Sequence, residues 1–184
     1  MIDFIKKKLE TRKRVYLTDS NIILEDYLKE KEKIEEYNGR QLLEMLQNAD
    51  DEAITEKEKT CFIKLTENQL TIANNGRKFS QGGIESLMYS NISPKVLEQN
   101  KVGHKGLGFR SILSWANKVT IKSQDLCVSF SKEYSKSVLD ELLENSEFKN
   151  SFYKLKNKSK EIPISTLVCP NVNSIDSNFF KNYI

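Results

Sequence analysis

The stretch NGRQLLEMLQNADDEA, residues 38–53, decides how the rest of the chain is read. Leu42, Leu46, Ala49 and Ala53 recur at helical spacing as one apolar stripe, which predicts a helix over residues 40–53 laid on a core. On the opposite face Glu44, Asn48 and Asp51 stand at i, i+4 and i+7, so two carboxylates and an amide share one side. Any amphipathic surface helix shows such spacing. The residue types are nevertheless those that hydrolysis of a magnesium nucleotide requires. An amide oxygen is a hard ligand for Mg2+, and a carboxylate can take a proton from an attacking water.

Upstream, Gly39 interrupts a run rich in helix formers, residues 21–37, with Asp19 and Ser20 available as caps, and a charged surface helix is expected there. Before it, Lys6, Lys7, Lys8, Arg12, Lys13 and Arg14 make residues 1–14 a basic arm that could meet phosphates, although such a run is more often a solvated helix face. Downstream, residues 61–65 and 70–73 are short β runs separated by the turn-prone Glu67 and Asn68, the pattern of a hairpin. The second run ends in Asn74-Asn75-Gly76. A polar side chain followed by glycine at a strand end commonly marks a turn. Its functional reading is an oxygen acceptor for the exocyclic amine of adenine, a contact that rejects bases lacking the donor.

One or two helical turns are expected over residues 82–89, after which periodicity disappears. Pro94, Gly103, Gly106 and Gly108 predict a long mobile loop, a lid over residues 88–107. Within KVGHKGLGFR, residues 101–110, the glycines would let backbone amides approach phosphates closely at the start of a helix running through Phe109, Ile112, Leu113 and Trp115. It is not a Walker A loop, since no GK[ST] follows at the required spacing, nor the dinucleotide GxGxxG after a first strand. A hinge would look similar. Strands at 118–122 and 126–130, an amphipathic helix at 136–149 and a last strand at 164–169 follow, with a short helix or frayed end after them. The chain has no internal repeat and no low-complexity linker.

The composition, 38% apolar and 30% charged over 184 residues, is that of one globular domain. No apolar run approaches the roughly 20 residues a bilayer helix needs, and the charged N-terminus does not read as a signal peptide, so no membrane partner and a cytoplasmic location are expected. Cys61, Cys127 and Cys169 are odd in number and never paired as CxxC, so neither a disulfide framework nor a zinc knuckle is supported. A net charge of +3 is too small to argue for nucleic acid; only the basic stretch at 6–14 leans toward an acidic or phosphate-bearing partner. With His104 as the sole histidine, no Ser-His-Asp or zinc-hydrolase site can be built.

The order of these motifs resembles the GHKL superfamily of ATP-binding domains, that of gyrase, the heat-shock chaperone ATPases, histidine kinases and MutL. YNGRQLLEMLQNADDEA, ANNGRKF, MYSNISP and VGHKGLGFRSIL are similar to its sacsin-type branch, over about residues 15–170. The resemblance implies an α+β fold, a two-layer sandwich with helices on one face of a mixed, mostly antiparallel sheet, in a domain spanning residues 15–172. Residues 173–184 would form a tail leading to a further domain.

It also implies a site for ATP and Mg2+. Glu44 falls where the family has its general base and Asn48 where it has the Mg2+ ligand, with Asp51 a carboxylate near the nucleotide. Asn74 stands where most relatives have the adenine-reading Asp; its oxygen can still accept the amine's hydrogen bond, but the exchange puts base preference in question. Gly76 keeps the first glycine of the usual DxGxG, Lys78 replaces the second, and Phe79 would pack near the base. Gly103, Lys105, Gly106, Leu107, Gly108 and Phe109 match the loop around the phosphates. Thr166 resembles the threonine that shares a water with the adenine-reading residue.

A histidine kinase would carry no carboxylate at the position of Glu44, and His104 lies in the glycine loop, so an autophosphorylated residue is not expected. Relatives complete their site with a basic residue from a following domain and close the lid by dimerisation. A homodimer or a further domain is therefore the expected partner, and slow hydrolysis is expected of this piece alone. A nucleotide switch with little hydrolysis, and a degenerate fold that binds no nucleotide, are the alternatives. Relatives act in chaperone-like remodelling, DNA transactions and bacterial defence, and the fold does not choose among these.

Overall fold

Strands Lys118–Ser123 (β3) and Leu126–Ser131 (β4) pair antiparallel, and Asn171–Ser174 (β5) joins the far side of β4, also antiparallel. The register places Ile121 opposite Val128 and Val128 opposite Val172, so one face of this sheet is apolar. That face closes on Ile5, Ile84, Phe109, Leu113 and Leu167 in one buried cluster. The computed structural model describes residues 1–53, 58–89, 107–155 and 163–175.

Among these residues there are seven α-helices: Ile2–Thr18 (α1), Asn21–Glu36 (α2), Gln41–Glu52 (α3), Gln81–Met88 (α4), Leu107–Arg110 (α5), Lys132–Leu142 (α6) and Ser146–Leu155 (α7). A 3-10 turn, Ser111–Ser114, continues α5. The hairpin is made by Cys61–Leu65 (β1) and Leu70–Asn74 (β2), with Leu65 opposite Leu70. The fold is thus α+β, and among the described residues there are two small sheets in which every pairing is antiparallel.

The basic stretch expected as an arm is the first helix. Ile5 of α1 is fully buried in the sheet cluster, and Leu9 and Tyr16 enter a second cluster with Ile23, Leu139, Phe148 and Phe152. Lys6, Lys7 and Arg14 are exposed on the outer face, whereas Lys8, Arg12 and Lys13 lie half-buried in ion pairs with Glu85, Asp26 and Glu141. Gly39 adopts φ +83 just beyond α2, a left-handed conformation that glycine reaches without strain, and separates α2 from α3.

Three further expectations are corrected. The helix foreseen over 136–149 is two helices, because Asn145 accepts a hydrogen bond from the Phe148 N–H at 2.9 Å and starts a new one. Of the stripe expected on α3, Ala49 and Ala53 are buried and Leu46 is half-buried, but Leu42 is exposed and Gln41 is fully buried beside it. Residues 164–169 are not a strand. They form a buried turn, and the strand lies after them at β5.

Candidate functional site

The apolar seam of α3 sets the direction of its polar side chains. Glu44 points at α5, where it lies against Gly108: a Cβ built on Gly108 would fall 2.6 Å from both Cγ and Cδ of Glu44, closer than non-bonded atoms pack. Any larger residue there would require the Glu44 side chain to move. The Glu44 side chain keeps 15% of its exposure, and Arg40, one turn earlier, reaches its Oε1 at 3.1 Å. Arg40 also lies over the ring of Tyr37, 5.5 Å from its centroid. Asn48 and Asp51 follow along α3, both half-buried.

The end of β2 meets the other end of α3. Asn74 Oδ1 accepts the N–H of Gly76 at 3.0 Å, a turn that brings Gly76 onto the helix terminus. A Cβ at Gly76 would lie 2.8 Å from both the carbonyl carbon and oxygen of Glu52. The following residue, Arg77, donates its N–H to that oxygen at 3.0 Å, and its Nε lies 3.2 Å from Glu52 Oε2. Asn75 completes the turn, accepting from Thr60 N–H and donating to Glu58 O. Glu44 with Gly108 and Asn74 with Gly76 are therefore gathered on one helix. An amide oxygen carries two lone pairs, and among the described residues only the Gly76 N–H donates to Asn74 Oδ1.

Phe79, 37% exposed, precedes α4 and donates its N–H to Ser123 Oγ at the end of β3. Phe109 is buried in the sheet cluster. Thr166 is bound to α2: its N–H donates to Glu30 Oε1 at 2.8 Å, while Ser165 Oγ and Leu167 N–H donate to Glu30 Oε2 at 2.6 and 2.9 Å. Leu107 opens α5, whereas Gly103, Lys105, Gly106 and all but the edges of the expected lid at 88–107 lie outside the described residues.

Four residues around the site escaped the sequence reading. Arg40 was discoverable, since it stands at i, i+4 from Glu44. Gln41, Glu30 and Arg110 were not, because nothing local marks a polar residue for burial. Gln41 donates to Asn38 Oδ1 and Ser114 Oγ from a fully buried position, joining the start of α3 to the end of the 3-10 turn. Arg110 is 1% exposed. Burial pushes its guanidinium below the ordinary arginine value, a shift that Glu30 and then Asp26 oppose.

Electrostatically the region is mixed. Glu52 and Glu44 face Arg77 and Arg40, and Asp50 pairs with Lys59 at 2.8 Å. Among the described residues no group of three carboxylates, cysteines or histidines forms a self-sufficient cation site. No helix among them is long and apolar enough to cross a membrane. No family model, curated protein or solved structure matches the chain.

Proposed function

We propose that this chain is a GHKL-type ATP-binding domain that holds Mg-ATP between α3, the end of β2 and the turn at α5, and hydrolyses it slowly by itself. The observation that carries this reading is the seating of Gly108 on the Glu44 side chain. Gly108, the last glycine of its motif, and the carboxylate of Glu44 are far apart in sequence and yet in contact, which supports a base beside the terminal phosphate.

In this reading Glu44 accepts a proton from water as its oxygen bonds to the γ-phosphorus. The bond from that phosphorus to the β,γ-bridging oxygen breaks, ADP and phosphate leave, and Glu44 returns the proton to solvent. Asn48 is the protein's ligand for Mg2+, an ion otherwise carried mainly by phosphate oxygens and waters. The ion supplies charge neutralisation on the phosphates. Asn74 offers the acceptor for the adenine amine, with Thr166 and Phe79 assigned to the same end of the nucleotide by resemblance alone.

The ion pair with Arg40 favours a second reading. A carboxylate whose oxygen is already engaged by a guanidinium at 3.1 Å has less of its surface to offer an attacking water, which suits a switch that binds ATP and turns it over little. A partner copy or further domain that draws Arg40 away would then raise activity. Glu44→Ala separates the two readings: for an ATPase, binding by titration persists while phosphate release falls to background. For a switch, wild type and variant release equally little. Absence of any ATP and Mg2+ effect on melting temperature would remove both.

A further inference from the structure

Arg110 closes the helical turn that begins at Leu107, and its guanidinium reaches back to α4. Nη2 donates to the carbonyl oxygen of Leu87 at 2.8 Å, and Nη1 lies 4.0 Å from Glu30 Oε2. Leu87 stands in the last turn of α4, so one buried side chain ties the residues that enter and leave the stretch between α4 and α5. Glu30 is the second half of the tie: it also accepts from Ser165, Thr166 and Leu167. A single carboxylate of α2 thereby joins α5 to the turn that carries Thr166.

One turn earlier on α2 is another buried carboxylate, Asp26. It accepts from Arg12 Nε at 2.8 Å and from Tyr16 Oη at 2.6 Å, and the Arg12 guanidinium lies 5.3 Å from the centroid of Tyr89, just beyond α4. Both ends of the interval are therefore referred to α2 through arginines. Packed apolar residues would hold two helices together at least as well as buried ion pairs. What a planar guanidinium adds, by bonding one partner while its charge faces another, is a fixed relative position.

We propose that Arg110 and Glu30 are positioning residues for the phosphate-binding turn, holding α5, and with it Gly108 against Glu44, in register with α4 and Thr166. The proposal rests on the ATP-binding reading and assigns the pair to the phosphate end of the nucleotide. Arg110→Lys and Glu30→Asp test it, because each keeps the charge balance of the buried pair while removing the reach that spans two partners.

Affinities for Mg-ATP and for adenosine are measured by titration on wild type and both variants, together with amide hydrogen exchange without ligand. Positioning predicts a loss of at least about tenfold in ATP affinity, as misplacing a binding group by an ångström does, with adenosine affinity preserved. Amides of Leu87–Tyr89 and Leu107–Arg110 should exchange faster while those of α6 and α7 do not. An ATP-to-adenosine ratio unchanged in both variants overturns the proposal, as does equal loss of both ligands with faster exchange throughout. If wild type binds neither ligand, the ATP reading fails and the phosphate role with it; protection at both ends that survives in both variants would then remove the tie as well.

Discussion

Gly108 lies on Glu44 with no room for a methyl group between them, so α3 and α5 approach as closely as a glycine allows. Gly108→Ala should therefore destabilise the protein by about 1–3 kcal/mol, the usual cost of overpacking a tight contact. Glu44→Ala removes the atoms that the new methyl would strike. The double variant should recover part of the loss, with a coupling of about 0.5–3 kcal/mol in a urea-denaturation cycle. Additive effects would mean that the two residues do not share this contact in solution.

Asn74 performs a turn that either an amide or a carboxylate oxygen can make. Asn74→Asp keeps the acceptor for the Gly76 N–H, whereas Asn74→Ala leaves that N–H without it, at a cost of about 1 kcal/mol. If the same oxygen reads adenine, Asn74→Asp binds ATP at least as tightly as wild type and discriminates more strongly against GTP. Asn74→Ala binds the two nucleotides alike. Parallel titrations with both nucleotides decide; a wild-type preference that survives in Asn74→Ala would remove Asn74 from base recognition.

Burial raises the Tyr16 phenol above its ordinary value of 10.0, and Asp26, which accepts its hydrogen bond, adds to the rise. Burial likewise raises the Cys169 thiol above 9.0. For both groups the unfolded chain loses its proton first. The stability they provide is complete below the unfolded values and is lost as pH climbs from about 9 through 10 and beyond. Melting temperature should fall across that alkaline window, and Tyr16→Phe should make the fall shallower. At neutral pH the same substitution costs about 1–2 kcal/mol for the lost bond to Asp26.

Local patterns made α2, α3, the β1–β2 hairpin and β3–β4 legible, since each is bounded by turn residues and carries a period of its own. What failed was decided at a distance. Ile164-Ser-Thr-Leu-Val-Cys169 has the composition of a strand, but Glu30 takes the N–H groups of Thr166 and Leu167 that a ladder would have used. Gln41 is buried in place of Leu42 because Ser114 waits for its amide, and no periodicity in residues 38–53 reveals that. In the site, Glu44 and Asn48 are visible as spacing. Their junction with Gly108, and the burial of Arg110, exist only once the helices have packed.

The N-terminal helix gives the plainest contrast between charge pattern and packing. Lys6 and Lys7 are exposed, whereas Ile5 beside them is fully buried among Ile84, Val128 and Phe130. Were residues 1–14 an appended arm, Ile5→Ala would be silent and charge reversal at Lys6 and Lys7 would act on a phosphate-bearing partner. Built into the core, Ile5→Ala opens a cavity and should cost about 2–5 kcal/mol. Lys6→Glu with Lys7→Glu should stay within about 0.5 kcal/mol of wild type, as surface changes do. Chemical denaturation of the three proteins distinguishes the two pictures, and an Ile5→Ala protein as stable as wild type would return the segment to the status of an arm.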